Sequence, residues 1–155
     1  MICVVDASVA VKWFVRGDWA VREDHVEVAL NLLQASAQGQ ARFVQPPHCL
    51  AEVAAVLGRL TPATSGRDLA RLMALNITWT TPADAVPRAL ALAIELDHHL
   101  FDTLYHAVAL ESPDAAVLVT ADRRYFDKAC HLGRIVWLPQ WRPDLRPGAP
   151  PAIPQ

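Results

Sequence analysis

The sequence predicts a three-layer α/β domain, a central parallel sheet flanked by helices, and three observations carry that expectation. Short β-branched or apolar runs alternate with stretches of helical period over the first 138 residues, a pattern that implies parallel strands joined by helical crossovers. With 155 residues, 53% of them hydrophobic and 19% charged, the chain is long enough for one domain burying roughly 70% of its unfolded surface. Beyond residue 138 the alternation stops, and six of the twelve prolines follow.

The elements follow in order. ICVV at 2 to 5 is a strand, and ASVAVKWF at 7 to 14 a helix capped by Asp6 or Ser8. From 24 to 38, Val26, Leu30, Leu33 and Ala37 recur at helical spacing and predict an inward face, with Gly39 as the stop. ARFVQ at 41 to 45 is the second strand, closed by Pro46 and Pro47, and HCLAEVAAVLGRL at 48 to 60 is helical. RDLARLMAL is a short helix, NITWT at 76 to 80 a strand, and 84 to 96 an amphipathic helix with Val86, Leu90, Ala93 and Leu96 inward. Pro87 fits only in its first turn. FDTLYHAVALES is the next helix, AVLVT a strand, 122 to 130 a helix ended by Gly133, and RIVWL the last strand. The segment 139 to 155 reads as an extended proline-rich tail outside the 1 to 138 domain, with Trp141 to pin it to the body or to a neighbouring chain.

Charge and cysteines exclude several classes. Fourteen basic against sixteen acidic residues give a net charge of −2, so no global positive field marks a nonspecific nucleic-acid binder. Cys3, Cys49 and Cys130 form no CxxC and sit among apolar neighbours, as small core residues in a reducing compartment do. No run approaches a membrane span and no secretory signal is evident. A cytoplasmic protein with no membrane partner is expected.

The carboxylates need more explanation. Asp6 and Asp122 follow strand candidates at the edge where strands end and helices begin, and Asp102 opens the DTLYHAVAL helix at the same edge. Helix capping explains any one of them. It does not explain Glu52, which lies inside the apolar helix CLAEVAAVL; a carboxylate there needs a partner, such as Arg59, or a shared site. Two charges ~4 Å apart repel by ~4 kcal/mol at an effective dielectric near 20, so several acids in one pocket call for a divalent cation. Oxygen ligands without Cys or His at metal spacing suit magnesium or manganese.

In order and spacing, VVDASVAVKWF, PPHCLAEVAAVLGR, LFDTLYHAVAL and VLVTADRRYFDKA resemble the four signature blocks of PIN-domain ribonucleases of the VapC toxin type, over residues 1 to about 138. The resemblance implies a PIN-like fold and an acidic pocket of Asp6, Glu52, Asp102 and Asp122 that binds Mg²⁺ or Mn²⁺. Asp6 and Asp102 would be direct ligands, Glu52 and Asp122 would complete the shell, and the hydroxyls of Ser8 and Thr120 would orient them; Thr103 is a weaker addition. Phe101 stands where the family often has Tyr, and His106 where an apolar residue is common. The implied reaction is metal-assisted hydrolysis of RNA to 5′-phosphate and 3′-hydroxyl ends, with a homodimer and a VapB-type antitoxin as partners.

Around an acidic pocket RNA must be held by basic residues, and Lys12, Arg16, Arg123 and Arg124 adjoin the acids in sequence. His98 and His99 are adjacent in DHHLF, a poor spacing for chelating one ion. His48 and His106 read as packing or surface residues. Trp13, Trp79 and Trp137 read as core, and Trp19, in the RGDWAVRED loop, as the aromatic placed for RNA stacking or for an inserted partner. A receiver-type phosphoacceptor would need an acidic pair at the first strand, and a haloacid-dehalogenase-type phosphatase a second Asp where Ser8 stands. The remaining alternative is a PIN fold kept as a noncatalytic RNA-binding or assembly module.

Overall fold

The computed structural model describes residues 1–80 and 82–145. Five strands, β1 (Ile2–Val5), β2 (Arg42–Gln45), β3 (Ile77–Trp79), β4 (Val117–Thr120) and β5 (Ile135–Trp137), form one all-parallel sheet in the order β3-β2-β1-β4-β5. Eight helices flank it: α1 (Ala7–Ala10), α2 (Asp18–Arg22), α3 (Val26–Ala37), α4 (His48–Leu60), α5 (Ser65–Met73), α6 (Val86–Glu95), α7 (Leu100–Glu111) and α8 (Arg123–Ala129). All four residues of β4 are buried, as the inner strands of a sheet covered on both faces must be. The expected three-layer α/β architecture is therefore present.

The strand order reverses between β1 and β4. Chains leaving the carboxyl ends of these neighbours diverge and open a crevice at the topological switch point. α1, α4 and α8 start directly after β1, β2 and β4. α7 feeds β4 and so runs antiparallel to it, which brings the α7 N-terminus to the same edge. Four helix N-termini thus ring one sheet edge.

Several local expectations are corrected. The helix expected over 7 to 14 is one α-turn followed by a 3₁₀ turn, Val11–Phe14, in a stretch where Val9 and Val11 lower helical preference. RGDWAVRED is not simply a loop, because Asp18–Arg22 is helical. α3 buries Ala29, Leu32 and Ala35 and leaves Leu30 exposed. α6 buries Ala89 and Leu92 between Ala85 and Leu96, leaving Val86 and Leu90 exposed. One cause explains both turned faces: alanines permit close approach. The Trp13 indole donates to Ala29 O (2.9 Å), and the Thr103 hydroxyl donates to Ala89 O (2.8 Å). Larger residues at these alanines would hold the helices apart.

Trp13 lies in the core, whereas Trp79 on edge strand β3 is exposed and Trp137 is partly buried. Cys3 and Cys49 are buried, but Cys130 is exposed, against expectation. The start of the proline-rich stretch is packed. Leu138–Gln140 makes a 3₁₀ turn and Trp141 is 2% exposed within the core; residues 146–155 lie outside the described residues. Among the described residues no helix is long and apolar enough to cross a membrane.

Candidate active site

Asp6 is the first residue beyond β1 and the N-cap of α1. One carboxylate oxygen accepts from Ser8 N–H (2.9 Å) and the other from the Thr120 hydroxyl (2.6 Å). Its own N–H donates to Val119 O (3.0 Å), which fixes it to β4. The Ser8 hydroxyl accepts from Ala121 N–H (3.1 Å), and Thr120 Oγ1 accepts from Asp122 N–H (3.0 Å). Asp122 in turn caps α8 by accepting from Tyr125 N–H (3.0 Å). The ends of β1 and β4 are therefore joined through the side chains at the crevice. The capping reading holds for Asp6 and Asp122, and both also face the site.

Gln45 supports this arrangement and was not singled out in the sequence. The backbone ladder of β2 pairs with Ile2 and Cys3 of β1; beyond it, the buried Gln45 amide donates to Val5 O (2.9 Å) and accepts from Val5 N–H (3.3 Å). The side chain thus replaces missing ladder bonds just before Asp6. A polar residue closing the apolar strand ARFVQ is the signal that marks it.

The other two acids come from helices. Glu52 is not paired with Arg59: it accepts from the Tyr105 hydroxyl (2.6 Å), with His48 Nε2 at 3.7 Å. Nor is α4 apolar all round, since Ala51, Ala55 and Arg59 form a solvated stripe. Asp102 does not cap α7, and it lies 3.1 Å from His98 Nε2. Both histidines precede their acid by four residues, in HCLAE and HHLFD; in α4 that spacing aligns His48 and Glu52 on one helical face, while His98 reaches Asp102 from the turn before α7. That signal was available in the sequence.

Asp6, Glu52 and Asp102 are all held above the ordinary carboxylate range. Burial pushes Asp6 up from 3.8 to about 6, against the lowering bonds from Thr120 and Ser8, with Asp102 and Asp122 adding repulsion. Burial also raises Glu52, with Asp6 adding to it, and raises Asp102, with Glu52 and Asp122 adding while His98 lowers it. Burial lowers His48 and pushes the Tyr105 hydroxyl far up, so Tyr105 remains a donor. Among the described residues no lysine or arginine pairs with any of the four acids. Helix N-termini supply the partial positive charge that tolerates them. An all-oxygen, mutually repelling donor set has the chemistry that hard divalent cations take. Each acid is nonetheless tied to a different neighbour, and no group of three His, Cys, Asp or Glu among the described residues is disposed to hold an ion as it stands.

A family model for the PIN domain matches residues 3–132. The chain belongs to the PIN domain family. No curated protein matches it significantly. The PIN domain accounts for the nuclease-type fold.

Within this PIN domain the basic candidates differ. Lys12 is 5% exposed and ion-paired with Glu23, so it is not free to meet a phosphate. Arg16 is half exposed but bonded to buried Asp68 (3.0 Å), a carboxylate that Arg67 and Arg71 also approach. Arg123 pairs with Asp127 (2.7 Å) and lies over the Trp137 ring at 4.6 Å. Arg124 is exposed and has no ion-pair partner among the described residues. Thr103 is turned away from the acids toward α6, and Trp19 is partly buried with its indole on Glu23 (3.3 Å), so neither fits its expected place. His106 is a satisfied core residue: burial lowers it to about 4, Nε2 donates to Gly133 O (2.8 Å), and Nδ1 accepts from Tyr125 (3.0 Å).

Proposed function

We propose that this PIN-domain protein is a metal-dependent endoribonuclease, acting as the toxin of a toxin–antitoxin pair. The observation that carries the nuclease reading is Asp6. It is a buried carboxylate with both oxygens fixed, other acids in electrostatic reach and no cationic side chain among the described residues to neutralise it. Asp6, Glu52, Asp102 and Asp122 would hold Mg²⁺ or Mn²⁺. When bound, such an ion lowers the pKa of an attacking water and offsets charge on the phosphoryl oxygens. The protein's own contribution is preorganisation. Thr120 and Ser8 keep Asp6 from rotating, Tyr105 holds Glu52, His98 lies beside Asp102, and Arg124 is free to meet the RNA.

The toxin role, the VapB-type antitoxin and the homodimer rest on the four signature blocks. Apolar Val86, Leu90 and Ile94, exposed along one side of α6, favour a protein partner. The dispersed acids favour one other reading, the noncatalytic RNA-binding or assembly module. Cleavage of total RNA with Mg²⁺ or Mn²⁺, beside chelator and Asp6→Asn, separates the two. Discrete fragments that vanish in both controls support the nuclease. Folded protein that cuts nothing and binds no Mn²⁺ supports the module.

A further inference from the structure

Beside the acids lies an open cavity of about 290 Å³ lined by Asp97, His98, His99 and Arg124. His98 forms the partition, in the cavity wall on one side and 3.1 Å from Asp102 on the other. Whatever fills this cavity lies one imidazole from the acid cluster.

The turn that carries Asp97 is built firmly. His98 N–H donates to Ala93 O (3.0 Å) and Asp97 N–H to Ile94 O (3.4 Å), the paired bonds of a Schellman cap ending α6. Lys128 of α8 donates to the carbonyls of Leu96 and Asp97 (2.7 and 2.6 Å), clamping the turn to the helix that bears Arg124 one turn earlier. In this cap Asp97 takes φ +45°, a region where glycine is conformationally cheaper than any residue with a Cβ. Aspartate is among the few residues with a Cβ that tolerate it. The Asp97 carboxylate has no hydrogen-bond or ion-pair partner among the described residues, and neither has the Arg124 guanidinium.

Opposite charges on one cavity, not paired with each other, select the occupant. A phosphate would gain from Arg124 but meet Asp97. A nucleobase edge offers donors and acceptors together. Guanine matches best: its N1–H and N2–H₂ form the donor pair a carboxylate accepts, and its O6 and N7 form the acceptor pair an arginine fork reaches. The exposed His99 ring, 6.0 Å from the largely buried His98 ring and steeply inclined to it, gives a face against which a base stacks. We propose that this cavity is a nucleobase subsite with a preference for guanine, seating the base that neighbours the bond to be cut. The position relative to the cut rests on the nuclease reading; the base preference does not.

The test is titration of the protein, in chelator so that no RNA chemistry intervenes, with GMP, AMP, CMP, UMP and inorganic phosphate, followed by NMR. GMP is expected to bind about tenfold or more tightly than the other nucleotides, shifting the His98 and His99 resonances. Asp97→Gly suits the positive φ and so preserves folding, yet it should abolish the preference, while Arg124→Gln should weaken GMP binding. Equal binding of all four nucleotides, no binding, full competition by phosphate, or a preference that survives Asp97→Gly would each overturn the proposal. Guanine preference without RNA cleavage would sink the nuclease and keep the subsite; cleavage without base preference would do the reverse.

Discussion

Replacing Asp6 by Asn should stabilise the metal-free protein at neutral pH. The change keeps the shape and the acceptor for Ser8 N–H while removing a buried charge. Burial lifts Asp6 from 3.8 to about 6, and at about 1.4 kcal/mol per pH unit that amounts to about 3 kcal/mol, an upper value for the gain. The folded state holds this proton more tightly than the unfolded chain. Its contribution therefore favours folding fully below pH 4 and is lost as pH rises through about 6. Asp6→Asn should accordingly exceed wild type by up to about 3 kcal/mol at pH 7.5, roughly 6–12 °C in Tm for a chain of this size, with the advantage fading toward pH 4. Urea unfolding in chelator from pH 4 to 8, followed by tryptophan fluorescence, reads this directly. The wild-type profile alone will not. Burial lowers His106 from 6.5 to about 4, so its contribution falls on acidification over the same range and opposes that of Asp6. Only the difference between the two proteins isolates Asp6. A difference constant across pH, or a wild type more stable at pH 7.5, would refute the argument. Added Mg²⁺ should stabilise wild type and leave Asp6→Asn unmoved.

Three other substitutions test the supports of the site. Gln45→Leu strips Val5 of both side-chain hydrogen bonds and should cost about 3 kcal/mol by urea unfolding, with a further loss of any metal-dependent activity because Asp6 is the next residue. Tyr105→Phe keeps the ring but leaves Glu52 without its 2.6 Å donor; a loss of about 1–2 kcal/mol is expected in the same assay, and no change would mean that water replaces the hydroxyl freely. Glu23→Gln leaves the buried Lys12 ammonium uncompensated, for about 2 kcal/mol given the partly exposed partner, whereas Lys12→Met should cost less; equal losses would show that packing and not charge holds this corner.

Parallel strand–helix alternation and the acid at the end of the first strand were legible because each is a local signal: a β-branched run, a change of period, a carboxylate where apolar residues end. Asp6, Asp102 and Asp122 could be placed on one edge for the same reason, since each lies at a helix start, whereas Glu52, inside its helix, was placed there only by the resemblance. Helix faces were less legible. In α3 and α6 the large aliphatics Leu30, Val86 and Leu90 mark the exposed side, because close packing on Trp13 and Thr103 selects alanines. Pairing between distant residues was hidden as well. That Lys12 meets Glu23 and Arg16 meets Asp68 depends on how the segment after α1 folds back, and nothing in its local composition specifies that. The histidines at i−4 from Glu52 and Asp102 were visible, but became meaningful only once their acids were known to face one crevice.

The bond between Thr120 and Asp6 joins residues 114 apart in sequence. β1 is the first strand made, yet it is not flanked on both sides until β4, the fourth, has been synthesised and has inserted beside it. Long-range parallel pairing of this kind is completed late. A nascent chain that has made α1 through α7 carries Asp6, Glu52 and Asp102, but neither the hydroxyl that fixes Asp6 nor Asp122. On the ribosome, surrounded by RNA, the chain is thus assembled with its acid edge unfinished until nearly all of the domain has emerged. For the proposed nuclease, order of synthesis would act as a safety catch.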